Sequence, residues 1–170
     1  GASVANSIVS ASGGNYEQLT PNTAPVSTTV TDDGDVTTVT LTATPSVVEG
    51  TSITYTATLT NAAQTPVTVT LSNGATINIA AGATSGSVSV SAPAEDPYLD
   101  AGSVSATIAS TSGGGFEALT VDAGAATTTI SDTIDDTTVS ITGDAVVGEG
   151  ATASYTVSLT SPAQTAVTVN

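Results

Sequence analysis

The chain has 170 residues and carries fifteen acids against no Lys, Arg or His, a net charge of −15. That excludes nucleic acid as a partner, since no cation is present to meet a phosphate, and it disfavours an anionic membrane surface equally. Cysteine, Met and Trp are absent and aromatics make up 3%, so thiols and disulfides contribute nothing, the core is modest, and metal ions are the remaining staple.

The first 35 residues hold Ser3-Val4, Ile8, Gly13-Gly14, Tyr16-Glu17 and Leu19-Thr20, and each has a counterpart 100 positions on. These are Ser103-Val104, Ile108, Gly113-Gly114, Phe116-Glu117 and Leu119-Thr120. The register continues from Thr37-Thr38-Val39 to Thr137-Thr138-Val139 and from Glu49-Gly50 to Glu149-Gly150. Comparing 36–70 with 136–170 without gaps, 17 of 35 positions are identical. A period of that length is a whole domain copied in tandem rather than a solenoid turn. The expected organisation is 1–35 as the last third of a repeat, 36–135 as a complete copy and 136–170 as the first third of the next. On this reading the chain is a section of a larger protein, and the visible lack of a signal peptide says little about export.

Within the complete copy, apolar and polar residues alternate with period two. Val39 and Leu41 open the pattern, followed by Ile53, Tyr55, Ala57 and Leu59, then Val67, Val69 and Leu71. Ile77 with Ile79, Val88 with Val90, Val104 through Ile108, and Thr128 with Ile130 complete seven predicted strands. Turn residues at 61–66, 72–74, 81–86, 92–102 and 112–115 separate them. The fold class expected is all-β, with tandem immunoglobulin-like antiparallel β-sandwich domains of about 100 residues. Helix has no support in the pattern, and no apolar run nears the roughly 20 residues of a membrane span, which argues against insertion.

All fifteen acids fall outside the predicted strands, where Thr and Ser take the outward positions. In an up-and-down course the loops after the first, third and fifth strands, and the exit of the seventh, gather at one pole. Those segments carry Glu49, then Glu95, Asp96 and Asp100, then Asp132, Asp135 and Asp136. Unit charges about 4 Å apart repel by about 4 kcal/mol at an effective dielectric near 20, and the chain owns no cation to offset this. Hard oxygen donors without His or Cys select Ca²⁺ over zinc or copper. At the preceding junction Asp32 and Asp35 hold the first and fourth places of the same pattern, and Glu149 inherits the role of Glu49. Glu17, Glu117, Asp122 and Asp144 suit capping or solvation as well as metal. The run Asp32-Asp33-Gly34-Asp35 lacks the distal Glu and flanking helices of an EF-hand.

Val48-Glu49-Gly50 with Ser52-Ile53-Thr54-Tyr55-Thr56-Ala57 resembles the extender repeats of giant bacterial RTX adhesins, as in biofilm and ice-binding adhesins. So do Asn73-Gly74-Ala75-Thr76-Ile77, Ala92-Pro93-Ala94-Glu95-Asp96 with Tyr98 and Asp100, and Asp132-Thr133-Ile134-Asp135-Asp136. The resemblance implies immunoglobulin-like repeats that bind Ca²⁺ within and between domains, with Glu49, Glu95, Asp96, Asp100, Asp132 and Asp135 as ligands. It also implies secretion to the bacterial cell surface and neighbouring repeats of the same chain as partners. Tyr55 and Tyr155 are expected in cores, Tyr16 and Phe116 as plugs at a sandwich end, and Tyr98 in a tyrosine corner. With no His, Cys or Lys to serve as base or nucleophile, no enzyme activity is expected. Alternatives are a repeat that itself binds carbohydrate or a surface ligand, and a filament or surface-layer subunit.

Overall fold

A computed structural model describes residues 2–100 and 102–170, and its fourteen elements are all β-strands. The chain divides into two compact units, Gly1–Val36 and Thr37–Asn170. In the first, β1 (Ala2–Asn6) and β2 (Val26–Val30) form an antiparallel pair with Ala2 opposite Val30, and both strands are exposed throughout. Tyr16, expected as a plug, is exposed there.

The second unit holds the sandwich. Its strands are β3 (Val36–Ala43), β4 (Ser46–Val48), β5 (Ser52–Leu59), β6 (Val67–Leu71) and β7 (Thr76–Ile79), followed by β8 (Ser85–Ser91), β9 (Gly102–Ala106), β10 (Ile108–Gly113), β11 (Ala118–Val121) and β12 (Ala126–Ser131). One sheet runs β11-β3-β5-β8; facing it are β10-β6-β7 and β4-β12-β9. The core lies between these layers. Val39, Ile53, Tyr55, Ala57 and Leu59 come from the first sheet, and Val67, Val69, Leu71, Ile77 and Ile79 from the second. Alternation put the same residues inward, and burial drives this packing at about 25 cal/mol per Å² of apolar surface.

The first expected strand ends before Pro45, whose missing N–H and fixed φ end its ladder, and a further short strand follows. Before it, β3 pairs antiparallel with β5; after it, β4 pairs parallel with β12, so the chain crosses from one layer to the other. Thr44 secures the crossing by donating its N–H to Thr54 O (3.0 Å) and accepting Thr128 Oγ1 at its carbonyl (2.6 Å). The sixth expected strand is broken at Thr107, and the β10–β6 register shifts between Ile108 and Ser110. Thr107 and Ser72 bridge the gap through Thr107 N–H to Ser72 Oγ (3.1 Å) and Ser72 N–H to Thr107 O (2.9 Å). The segment 118–121, outside the seven predicted strands, is strand β11 at the edge of the first sheet.

Beyond the sandwich, β13 (Val139–Gly143) and β14 (Tyr155–Leu159) repeat the β3–β5 hairpin in the same register. Val139 lies opposite Leu159 as Val39 lies opposite Leu59, and Gly143 opposite Tyr155 as Ala43 opposite Tyr55. Their burial differs: Tyr55 is 0% exposed and Tyr155 is 71% exposed, so the expectation of a core position for Tyr155 does not hold in this structure. Phe116 packs against the core, as expected of a residue closing the sandwich end.

Candidate metal centre

Three chain segments meet where β4 ends, where the loop between β8 and β9 turns, and where β12 exits. Glu49 follows β4 directly. Its N–H donates to Ser131 O (3.1 Å) and its side chain is carried inward, leaving the residue 4% exposed. Gly50 then turns the chain with φ +70°, a conformation that disfavours any Cβ, and donates its N–H to Pro93 O (2.7 Å). A Cβ there would also lie 3.2 Å from Glu95 Cβ. These backbone bonds tie Glu49 to both other segments before any side chain takes part.

Thr133 organises the carboxylates. Its N–H donates to Glu49 Oε1 at 2.7 Å. Its hydroxyl lies 3.1 Å from the same oxygen and 2.8 Å from Glu95 Oε1, so one hydroxyl proton is shared between two acids. Carboxylate oxygens of Glu49, Asp100 and Asp132 all lie within 4.8 Å of one another. Asp132 Oδ1 is buried without a hydrogen-bond partner. Buried polar atoms are normally satisfied, so this orphaned carboxylate oxygen leaves a place that a cation could fill.

The titration behaviour follows from this crowding. The Thr133 backbone N–H holds the Glu49 carboxyl below its usual 4.5, with Asp132 and the Thr133 hydroxyl adding to this and burial opposing it. Asp132 is pushed above 3.8, first by the Glu49 carboxylate beside it and then by burial and the charges of Glu49, Asp100 and Asp96. Glu95 is pushed up chiefly by the Asp135 carboxylate it meets. Crowding thus raises the proton affinity of Asp132 and Glu95, while the Thr133 N–H lowers that of Glu49.

Of the sequence candidates, the structure gathers Glu49, Asp100 and Asp132 into one group and sets Glu95 with Asp135 beside it. Asp96 acts on Asp132 through charge, while its Oδ1 accepts the Tyr98 N–H at 2.9 Å. Asp136 and Glu149 are exposed and outside the group, as are Asp32 and Asp35, which lie in the Gly1–Val36 unit. Thr133 was not among the candidates. Its only signal was a hydroxyl set between two acids in Asp132-Thr133-Ile134-Asp135. Tyr98 is not a corner residue of its own sandwich, because its hydroxyl donates to Pro162 O at 2.6 Å, 64 residues on.

The donors are all hard oxygens, offered from separate segments with one of them orphaned, and they fit Ca²⁺. Fold and site together define an all-β sandwich protein with an acidic pole. The LapA domain family matches residues 35–133, more than half of the chain, and the chain belongs to that family. The family is related to biofilm-associated adhesins, which gives the chain an adhesin-related role at the cell surface or outside the cell. No curated protein matches the chain.

Proposed function

We propose that the chain is a Ca²⁺-stiffened extender section of a large secreted bacterial adhesin of the RTX type, built from tandem immunoglobulin-like repeats that project a distal binding domain from the cell. The observation that carries this reading is the meeting of Glu49, Asp100 and Asp132 within 4.8 Å, with a buried, unpartnered Asp132 oxygen, in a chain that owns no cation. Glu49, Asp100 and Asp132 would hold the ion, with Glu95, Asp96 and Asp135 adjoining. Ca²⁺ supplies the positive charge that lets these carboxylates ionise together.

The chain's own residues make that site structural. Asp132 and Thr133 begin the connection that leads to β13, so fixing them to Glu49 and Glu95 fixes the start of the linker. The apolar residues of β13 and β14 match buried residues of β3 and β5, which supports reading 136–170 as the opening of another copy whose partners are its neighbours in the array. Metal at about 100 times its dissociation constant would add about 2.7 kcal/mol to the folded state. Millimolar extracellular Ca²⁺ makes even weak sites effective.

Calorimetric titration of the metal-free chain with Ca²⁺ tests this. Saturable binding is expected; Asp132→Asn abolishes the site, and Thr133→Val weakens it by about 10–100-fold, the usual cost of losing a group that orients a ligand. No heat of binding, or a Thr133→Val affinity equal to that of the parent, contradicts the assignment.

A further inference from the structure

The loop between β8 and β9 faces two ways. Glu95 and Asp100 turn toward the acidic centre, whereas Pro97, Tyr98 and Leu99 line a groove of about 440 Å³ shared with Val139, Leu159 and the 161–165 turn. Leu99 is 91% exposed, so the loop tip is held over the following segment by few contacts of its own. A directed bond crosses the gap from Tyr98 Oη–H to Pro162 O, at 2.6 Å. Tyr98 is itself aimed by a local turn in which Asp96 Oδ1 accepts its N–H. The acceptor is a backbone carbonyl, so the bond needs only the position of the 161–165 turn and no particular side chain.

We propose that Tyr98 is a metal-independent latch that sets the orientation of the 136–170 segment on the sandwich before it. This deepens the extender reading and rests on it: the ion would fix the start of the linker at Asp132 and Thr133, and Tyr98 fixes a second point at Pro162, past β14. Two separated points define a direction where one leaves a swivel.

The chain has no cysteine, so Ser87→Cys with Ser158→Cys gives a unique pair of spin labels on exposed strand positions either side of the joint. Distance distributions by electron–electron double resonance are compared for the parent and Tyr98→Phe, with Ca²⁺ and with chelator. Phe keeps the ring and removes only the hydroxyl. The latch predicts a broader distribution in Tyr98→Phe under both conditions, with the latched-to-open ratio lowered about fivefold, the worth of one ordinary hydrogen bond. Tyr16→Phe, at an exposed tyrosine outside the joint, leaves the distribution unchanged. A Tyr98→Phe distribution that superimposes on the parent in both conditions overturns the latch, even if chelation broadens both and the Ca²⁺ reading stands. Broadening by Tyr98→Phe with no response to chelation keeps the latch and removes the Ca²⁺ reading.

Discussion

Tyr55 carries a hydroxyl into the centre of the sandwich, where it is 0% exposed and finds no hydrogen-bond partner. Burial pushes its ionisation upward, so the phenol stays neutral at any ordinary pH. The ring fills the space that faces β6 and β7, while its oxygen loses water and gains nothing in return. Tyr55→Phe is therefore expected to be neutral or stabilising by up to about 1 kcal/mol, read as a rise in the denaturant midpoint at unchanged m. A loss of more than about 1 kcal/mol would mean that the hydroxyl has a partner, such as a buried water. The same residue type at Tyr155 stands on an open face, so identical sequence gives opposite environments depending on what lies across the sheet. Burial at residue scale was legible only where both layers of the sandwich are present.

At the scale of elements, the strands with unbroken alternation were legible: β5, β6, β7 and β12 bury the residues that the period of two placed inward. The crossing at Pro45 and the parallel β4–β12 pair were not, because pairing partners leave no trace in a three-residue strand. Strand β11 was missed for a similar reason, its four residues being too few to show a period. The acidic pole was legible as a group because loop polarity follows from strand order. Which acids touch was not, since that depends on backbone bonds such as Gly50 N–H to Pro93 O and on the donor Thr133. The pole also dictates a pH response. Asp132 and Glu95 have raised folded-state values, so the stability they contribute is fully present below 3.8 and 4.5 and is lost as pH rises through those raised values. Glu49 is lowered, and its contribution is present above 4.5 and lost as pH falls through its folded value. Metal-free protein should thus gain thermal stability as pH falls from neutrality toward 4.5, before Glu49 reverses the trend. In excess Ca²⁺ the same acidification should cost stability, because protons displace the ion. Melting temperatures across that interval should have opposite slopes, and parallel slopes would show that no ion engages these groups.

For the whole molecule, repetition is the organising fact. The 100-residue register seen in the sequence reappears as identical strand pairing in β3–β5 and β13–β14, down to Thr60 N–H to Thr38 O (3.0 Å) and Thr160 N–H to Thr138 O (3.1 Å). None of the fourteen strands holds an acid, so charge is confined to loops and connections, away from the core. On the proposed function, a string of such sandwiches would keep its domains folded by apolar packing and leave its stiffness to the cation supply. Small-angle X-ray scattering of the chain with saturating Ca²⁺ and after chelation tests that separation most directly. The account predicts a rigid particle with a well-defined maximum dimension in Ca²⁺, and a flexible profile after chelation with the β-sheet circular dichroism retained. Superimposable scattering profiles in the two conditions would contradict it.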